Sequence, residues 1–210
     1  MRRLLAICML FCLPLAAVGQ GDVRYLMPAF ADGMIFFNGQ QPAQGRLNIC
    51  ALDNTLRFLD KSGKEMVAAN EENIVKVRID TVWFIRSGSQ YYRMYPVSGD
   101  TGIALQRDVR PVTAGKQGAF GTTSQTASIR ENANIYADGV AYNIDKSQEV
   151  QFETVETLFL YKGDDVLVLN KRNLRKLFPQ SKDAIDAYFK GGGKVPETVP
   201  EALQLLDGWK

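Results

Sequence analysis

Residues 112–124, VTAGKQGAFGTTS, combine three glycines, a lysine and several hydroxyls, which are the residue types that cradle phosphate groups. A Walker A loop requires G-x-x-x-x-G-K-[ST] between a strand and a helix. Here Gly115-Lys116 is followed by Gln117, the earlier glycine is missing, and the polar tract that follows has no helical apolar period. The stretch therefore predicts no nucleotide site. It predicts a flexible Gly/Ser/Thr-rich loop over residues 114–133, because such a tract buries too little apolar surface to hold itself in place.

The chain contains no histidine, which excludes Ser-His-Asp and Cys-His nucleophile systems and histidine-ligated zinc. Of its three cysteines, Cys8 and Cys12 lie in an N-terminal apolar run, and Cys50 alone cannot form a cysteine zinc cluster. An enzyme of this sequence would have to work with carboxylates, lysine, tyrosine or a bound cofactor. No cofactor or metal motif is evident, so we expect no cofactor, no metal site and no catalytic residues of these classes.

Paired acids come next, because glycosidases act through two carboxylates and need no histidine. The adjacent pairs are Asp164-Asp165 and Glu71-Glu72. Neighbouring residues of a strand point to opposite faces, so neither pair presents two carboxylates together. We expect both pairs to be solvated surface acids. Distant acids that converge in one cleft, roughly 5 to 9.5 Å apart, would instead indicate a carboxylate-based glycan hydrolase.

Five aromatic residues fall on two predicted strands of one hairpin: Trp83, Phe84, Tyr91, Tyr92 and Tyr95. Cross-strand aromatic pairs stabilise hairpins, which favours core packing for the group as a whole. Alternation places Trp83 and Phe84 on opposite faces, so one set of rings could be exposed for stacking against a sugar or peptide. We predict Trp83, Tyr91, Tyr92 and Tyr95 as the candidate ligand-binding residues.

The elements that would position these side chains are mainly β. Short β-type runs flank turns at three places and predict three hairpins: 56–59 with 65–67, 82–85 with 90–95, and 157–161 with 166–169. Turns at this spacing favour an antiparallel sheet, a sandwich or a small barrel. The predicted organisation is a first β segment over 20–113, the loop over 114–133, a second β segment over 134–169 and a helical appendage over 170–210.

Two to three short helices are predicted in the appendage. Apolar residues recur at i, i+3 and i+4 in residues 174–178 and 185–189, as on single helix faces that pack on the sheet. Ser181 is a predicted N-cap for the second helix. Thr198 and Glu201 have the spacing of a capping box and predict a third helix.

The N-terminus matches the three-part pattern of a cleaved export signal over residues 1–19. A cationic start precedes an apolar run over residues 4–13, and Ala17 and Gly19 fit the positions before a cleavage site. The run is shorter than the roughly 20 residues that span a bilayer, so we expect no transmembrane anchor after cleavage. Two of the 25 Lys and Arg residues lie in this segment and none of the 23 acids, so the remainder is formally neutral. No basic face is evident, and we expect no nucleic-acid partner.

Four segments carry a resemblance to a known group of proteins. They are GRLN at residues 45–48, LRFLDKSG at 56–63, GKQGAFGTTS at 115–124 and NLRKLFP at 173–179. Together they resemble functionally uncharacterised small exported proteins of Bacteroidota, which are Gram-negative bacteria. The resemblance implies a periplasmic location or one on the extracellular side of the envelope, and it carries over no catalytic residues.

These observations predict an exported envelope protein that acts as a binding or structural module, with no catalytic site evident. Its partner would be another envelope protein or a glycan. Two alternatives stay open. A carboxylate-based glycan hydrolase requires two acids in one cleft, and a small-ligand carrier requires an open apolar cavity in the sheet layer.

Overall fold

The computed structural model of the protein describes residues 22–112 and 151–209. The strands are β1 (Ala31–Phe37), β2 (Ala43–Cys50), β3 (Thr55–Leu59), β4 (Glu65–Val67), β5 (Ile74–Ile79), β6 (Val82–Ser87), β7 (Gln90–Ser98), β8 (Thr101–Val112), β9 (Gln151–Lys162) and β10 (Asp165–Val168). The helices are α1 (Lys171–Leu177), α2 (Lys182–Lys190) and α3 (Val199–Asp207), and single 3-10 turns span Glu71–Asn73 and Pro179–Ser181. The predicted export signal, the predicted loop over 114–133 and residues 134–150 of the second β segment lie outside the described residues.

All ten strands pair antiparallel in one sheet, in the order β10-β9-β8-β7-β6-β5-β1-β2-β3-β4. The chain runs from β1 to the β4 edge and returns to pair β5 with β1. It then continues strand by strand to the β10 edge. The mainly β prediction with a helical C-terminus is confirmed, and of the three architectures considered the structure is a single sheet that does not close. The three predicted hairpins are confirmed as β3–β4, β6–β7 and β9–β10.

The longest pairing joins the two predicted β segments. β8 and β9 pair over their full lengths, from Thr101 opposite Lys162 to Val112 opposite Gln151. Because of this pairing, β10 belongs to the same sheet as β1–β7, and the helices pack on that sheet.

Strand alternation gives the sheet two faces, which we call the helix face and the cleft face. Val77, Phe84, Tyr91, Ile103 and Leu160 are on the helix face, and Lys76, Trp83, Tyr92, Met94 and Tyr161 are on the cleft face. The helix face carries most of the buried core. One cluster covers β1–β3 and β5–β7, and a second joins β8 and β9 to the three helices.

Contacts between distant strands show that the sheet curves toward both faces. On the cleft face, Lys76 of β5 forms an ion pair of 2.7 Å with Asp164, in the turn after β9. Four strand spacings separate these elements, about 19 Å in a flat sheet. On the helix face, Glu71 joins the Leu56 amide of β3 to the Tyr91 hydroxyl of β7, across five spacings or about 24 Å. The sheet therefore curves toward the cleft face between β5 and β9 and toward the helix face between β3 and β7.

The C-terminal helices bury their apolar stripes against the helix face, through Leu174, Ile185 and Leu206. The capping box of Thr198 and Glu201 is confirmed. Ser181 precedes α2 as predicted, but its hydroxyl donates to the Trp209 carbonyl at 2.7 Å and does not cap the helix. Across residues 22–112 and 151–209, no helix combines the length and apolar character that crossing a bilayer requires.

Candidate functional site

A cleft of about 940 Å³ opens on the cleft face of the sheet. It is bordered by the turns that follow β1, β7 and β9, at Asn38-Gly39, Gly99-Asp100 and Gly163-Asp164. The turns lie around one concavity because the strands between β5 and β9 curve toward this face. Without this curvature the three turns would lie apart and would not border a cleft.

An aromatic pair lines one side of the cleft. Trp83 stacks on Phe36 with ring centroids 5.4 Å apart and planes 26° apart. The Arg78 guanidinium, opposite Trp83 in the strand register, lies 5.8 Å from the indole centroid. Trp83 is nevertheless 37% exposed, whereas tryptophan is highly buried on average. The indole is therefore held in place by its neighbours and still open to the cleft.

Tyr161 lines another part of the cleft and depends on a glycine in the adjacent strand. Gly102 lies opposite Tyr161 in the register, and a Cβ there would stand 2.2 Å from the Tyr95 carbonyl oxygen and 2.6 Å from the Tyr161 ring. The missing side chain lets the ring lie across β8. Burial, and secondarily the charge of Asp100, raise the pKa of the Tyr161 hydroxyl. That group therefore stays protonated at neutral pH, in a residue that is only 3% exposed.

Charged groups form the rim of the cleft. Lys76 pairs with Asp164, and both side chains remain solvated, at 28% and 63% exposure. Asp100 lines the same cleft, and its carbonyl accepts a hydrogen bond from the Gly163 amide at 2.9 Å. Two carboxylates, Asp100 and Asp164, and two cations, Lys76 and Arg93, thus line one opening.

The four predicted ligand-binding residues divide between the cleft and the core. Trp83 and Tyr95 line the cleft, although Tyr95 also packs against the helix cluster and under the Arg93 guanidinium, at 5.2 Å. Tyr92 is buried on the cleft face, edge-on to Phe159 at 5.2 Å. Tyr91 is buried on the helix face. Trp83 is the one of the four with a substantially exposed ring.

A second polar cluster lies on the opposite face, around Glu71. Its carboxylate accepts hydrogen bonds from the Leu56 amide at 2.9 Å and from the Tyr91 hydroxyl at 3.0 Å. The Arg86 Nε lies 3.9 Å away, and the Arg86 and Glu71 side chains are 14% and 13% exposed. Burial raises the pKa of the Glu71 carboxyl despite these stabilising contacts, and burial is also the main cause that raises the pKa of Tyr91.

The prediction that Glu71 is a solvated surface acid is therefore wrong. The curl of the sheet encloses it, whereas its neighbour Glu72 remains exposed. Sequence reasoning missed this cluster, and it missed Phe36, Lys76 and Asp100 as cleft residues. A Glu-Glu pair before a strand carries no local signal that one member is buried.

The two clusters differ in what they can do chemically. Glu71 has hydrogen-bond partners for both carboxylate oxygens and is absent from the cleft lining, so its role is to hold β3 against β7. The cleft offers an apolar plane and solvated charges to a ligand, whereas Tyr161 in its wall is only 3% exposed. Among residues 22–112 and 151–209, no three acidic, cysteine or histidine side chains lie close enough together to hold a metal ion.

No protein-family model, curated protein or solved structure matches the chain.

Proposed function

We propose that the protein is an exported binding module that holds a glycan of the cell envelope in the cleft, with Trp83 as the stacking residue. The exposure of Trp83 carries this proposal. Trp209, the other tryptophan, is buried among the helices, whereas Trp83 keeps 37% of its surface exposed inside a concave site. Aromatic side chains stabilise a protein most when they are covered, and an uncovered indole in a cleft suits a ligand that covers it.

The chemistry around Trp83 favours a sugar. A sugar ring has an apolar C–H face and a rim of hydroxyls. The indole plane matches the face, and the charged groups of Lys76 and Asp164 match the hydroxyls. A wholly apolar ligand would instead desolvate the charged rim without giving it hydrogen bonds, at a cost of several kcal/mol. The rim therefore disfavours the small-ligand carrier.

One observation supports the hydrolase as a second candidate, because Asp100 and Asp164 line the same cleft. However, Asp164 is 63% exposed and paired with Lys76. A general acid in a glycosidase is kept protonated by a more enclosed surrounding. A solvated carboxylate held by a lysine is better suited to accept hydrogen bonds from sugar hydroxyls, so binding is the favoured function.

Titration of the protein with soluble peptidoglycan fragments and envelope polysaccharides tests the proposal. The signals are tryptophan fluorescence, which reports on the cleft through Trp83, and calorimetry. We expect Trp83→Ala to weaken binding by about two- to twelvefold or more, because an aromatic contact contributes roughly 0.5 to 1.5 kcal/mol beyond the area that it buries. Trp83→Phe should retain most of the affinity. Val67→Ala, an exposed apolar change on β4 outside the cleft, should leave it unaltered.

Three results would decide against the proposal. Equal affinity of Trp83→Ala and the unmodified protein would remove the cleft from the binding site. Capture of an envelope protein through Trp83, with no glycan bound, would favour the protein partner. Shortened glycan products that disappear in both Asp100→Asn and Asp164→Asn would establish the hydrolase.

A further inference from the structure

The first two helices form a concave basic surface that is separate from the cleft. This pocket has a volume of about 550 Å³. It is lined by five cations and a proline: Lys171, Arg172, Arg175, Lys176, Lys182 and Pro179. We call these residues the basic pocket.

The helical period explains why the cations gather there. Residues four apart lie on one face of a helix, so Lys171 shares a face with Arg175, and Arg172 shares a face with Lys176. Leu174 and Leu177 occupy the other side of α1 and pack into the helix cluster. The 3-10 turn at Pro179–Ser181 then starts α2 beside α1, which adds Lys182 to the same opening.

Neutralisation within the basic pocket is incomplete. Asp186 pairs with Lys171 at 2.8 Å and approaches Arg175 at 3.6 Å. In the described part of the chain, no carboxylate lies within ion-pair distance of Arg172, Lys176 or Lys182, which are all exposed. Like charges four residues apart on a helix are destabilising. The arrangement therefore has a local cost in stability that an anionic partner would remove.

We infer that the basic pocket binds the phosphate groups of an anionic phospholipid surface. Clusters of four to eight Lys and Arg residues on an amphipathic helix attract such surfaces, and each cation contributes about a fivefold gain in affinity. The five cations are spread over two helices and suit several phosphates of a lipid array more than one isolated ion. This interaction is independent of the cleft, so either proposal can fail without the other.

Vesicle flotation with the full chain tests the inference. The vesicles are phosphatidylcholine alone and phosphatidylcholine mixed with phosphatidylglycerol. The triple variant is Arg172→Gln with Lys176→Gln and Lys182→Gln. The matched control removes the same net charge at the exposed residues Lys61, Lys64 and Lys194, again by Gln substitution. All three proteins share residues 1–21, so vesicle binding by that segment cancels from the comparison.

We expect the unmodified protein and the control to float with the anionic vesicles, and the triple variant to bind them about 100-fold more weakly. Added salt should reduce binding, because it screens exposed charges beyond about 10 Å at 0.1 M. The unfolding midpoint of the triple variant should not fall, which separates lost binding from lost folding.

Several outcomes would overturn the inference. One is equal binding of neutral and anionic vesicles, and another is unchanged binding by the triple variant. Calorimetry with inorganic phosphate provides a further test. If the unmodified protein binds phosphate but not vesicles, and the triple variant does not bind phosphate, the pocket is a site for free phosphate. Retention on polyglutamate without vesicle binding would assign it to an acidic polypeptide.

Discussion

The β6–β7 hairpin separates two clusters made of the same residue types. On its helix face, Arg86 and Tyr91 meet the carboxylate of Glu71. On its cleft face, Trp83 shares a cleft with Lys76 and Asp164. Each cluster combines an acid, a base and an aromatic ring. The acid and base of the first, Glu71 and Arg86, are 13% and 14% exposed, and those of the second, Asp164 and Lys76, are 63% and 28% exposed.

Burial decides what each cluster contributes. The carboxylate of Glu71 has lost water and gained fixed donors from β3 and β7, so removing it would leave buried groups without partners. The ion pair of Lys76 and Asp164 also joins distant strands, but water solvates both charges and competes with the pairing. The first cluster therefore stabilises the curve of the sheet, and the second leaves its polar groups available to a ligand.

Removal of the buried carboxylate is the strongest way to test this difference. Glu71→Ala leaves the Leu56 amide, the Tyr91 hydroxyl and Arg86 without their shared partner. Breaking a buried charge pair in this way costs about 3 to 5 kcal/mol of unfolding free energy. Urea unfolding measures the loss.

The neighbouring acid provides the control. Glu72 is exposed, and Glu72→Ala should change the unfolding free energy by less than about 0.5 kcal/mol. Similar losses for the two variants would show that Glu71 is not a structural link, and the contrast between the two clusters would then fail.

The local parts of this fold could be predicted from the sequence. The β6–β7 hairpin follows from alternating residues on either side of Ser87-Gly88-Ser89, and the third helix follows from Thr198 and Glu201. Each signal spans a few residues, and the structure that forms there depends on those same residues. Trp83 could be identified as a candidate for the same reason, since alternation separates it from Phe84.

The non-local parts could not be predicted. Glu71 meets Tyr91, and Lys76 meets Asp164, only after the pairing and twist of several strands have accumulated. No local sequence pattern predicts the combined pairing and twist of several strands.

The basic pocket is a different case. The formal neutrality of the chain beyond residues 1–19 predicted no basic face, and for these helices that expectation is wrong. The i, i+4 spacing of Lys171 with Arg175 and of Arg172 with Lys176 is visible in the sequence. The net charge of the chain does not reveal it, because acids elsewhere offset these cations.

The pH dependence of stability sharpens the comparison further. Because burial raises the pKa of Glu71, the folded protein binds a proton there more tightly than the unfolded chain does. The stabilisation from this proton is complete below the ordinary pKa of 4.5 and is lost as the pH rises through the folded value. We expect the unmodified protein to gain unfolding free energy relative to Glu71→Gln as the pH falls from neutrality toward 4.5.

Asp53 provides an internal contrast for that measurement. Burial alone would raise its pKa, but hydrogen bonds from Thr55 and Cys50 and the charge of Arg57 lower it overall. Its stabilisation is therefore lost as the pH falls, in the opposite direction. It is present in both proteins and cancels from their difference. A difference that does not vary with pH would mean that Glu71 titrates alike in the folded and unfolded states.

The exposed ion pair should give the smallest effect. Lys76→Gln and Asp164→Asn, alone and together, form a double-mutant cycle whose coupling energy we expect to be below about 1 kcal/mol and to decrease with added salt. Urea unfolding at low and high ionic strength measures it. A coupling as large as the loss in Glu71→Ala would mean that the cleft is closed by a structural link. A small coupling would mean that the rim can separate at little cost, which the proposed binding of a bulky glycan requires, while Glu71 continues to link β3 to β7.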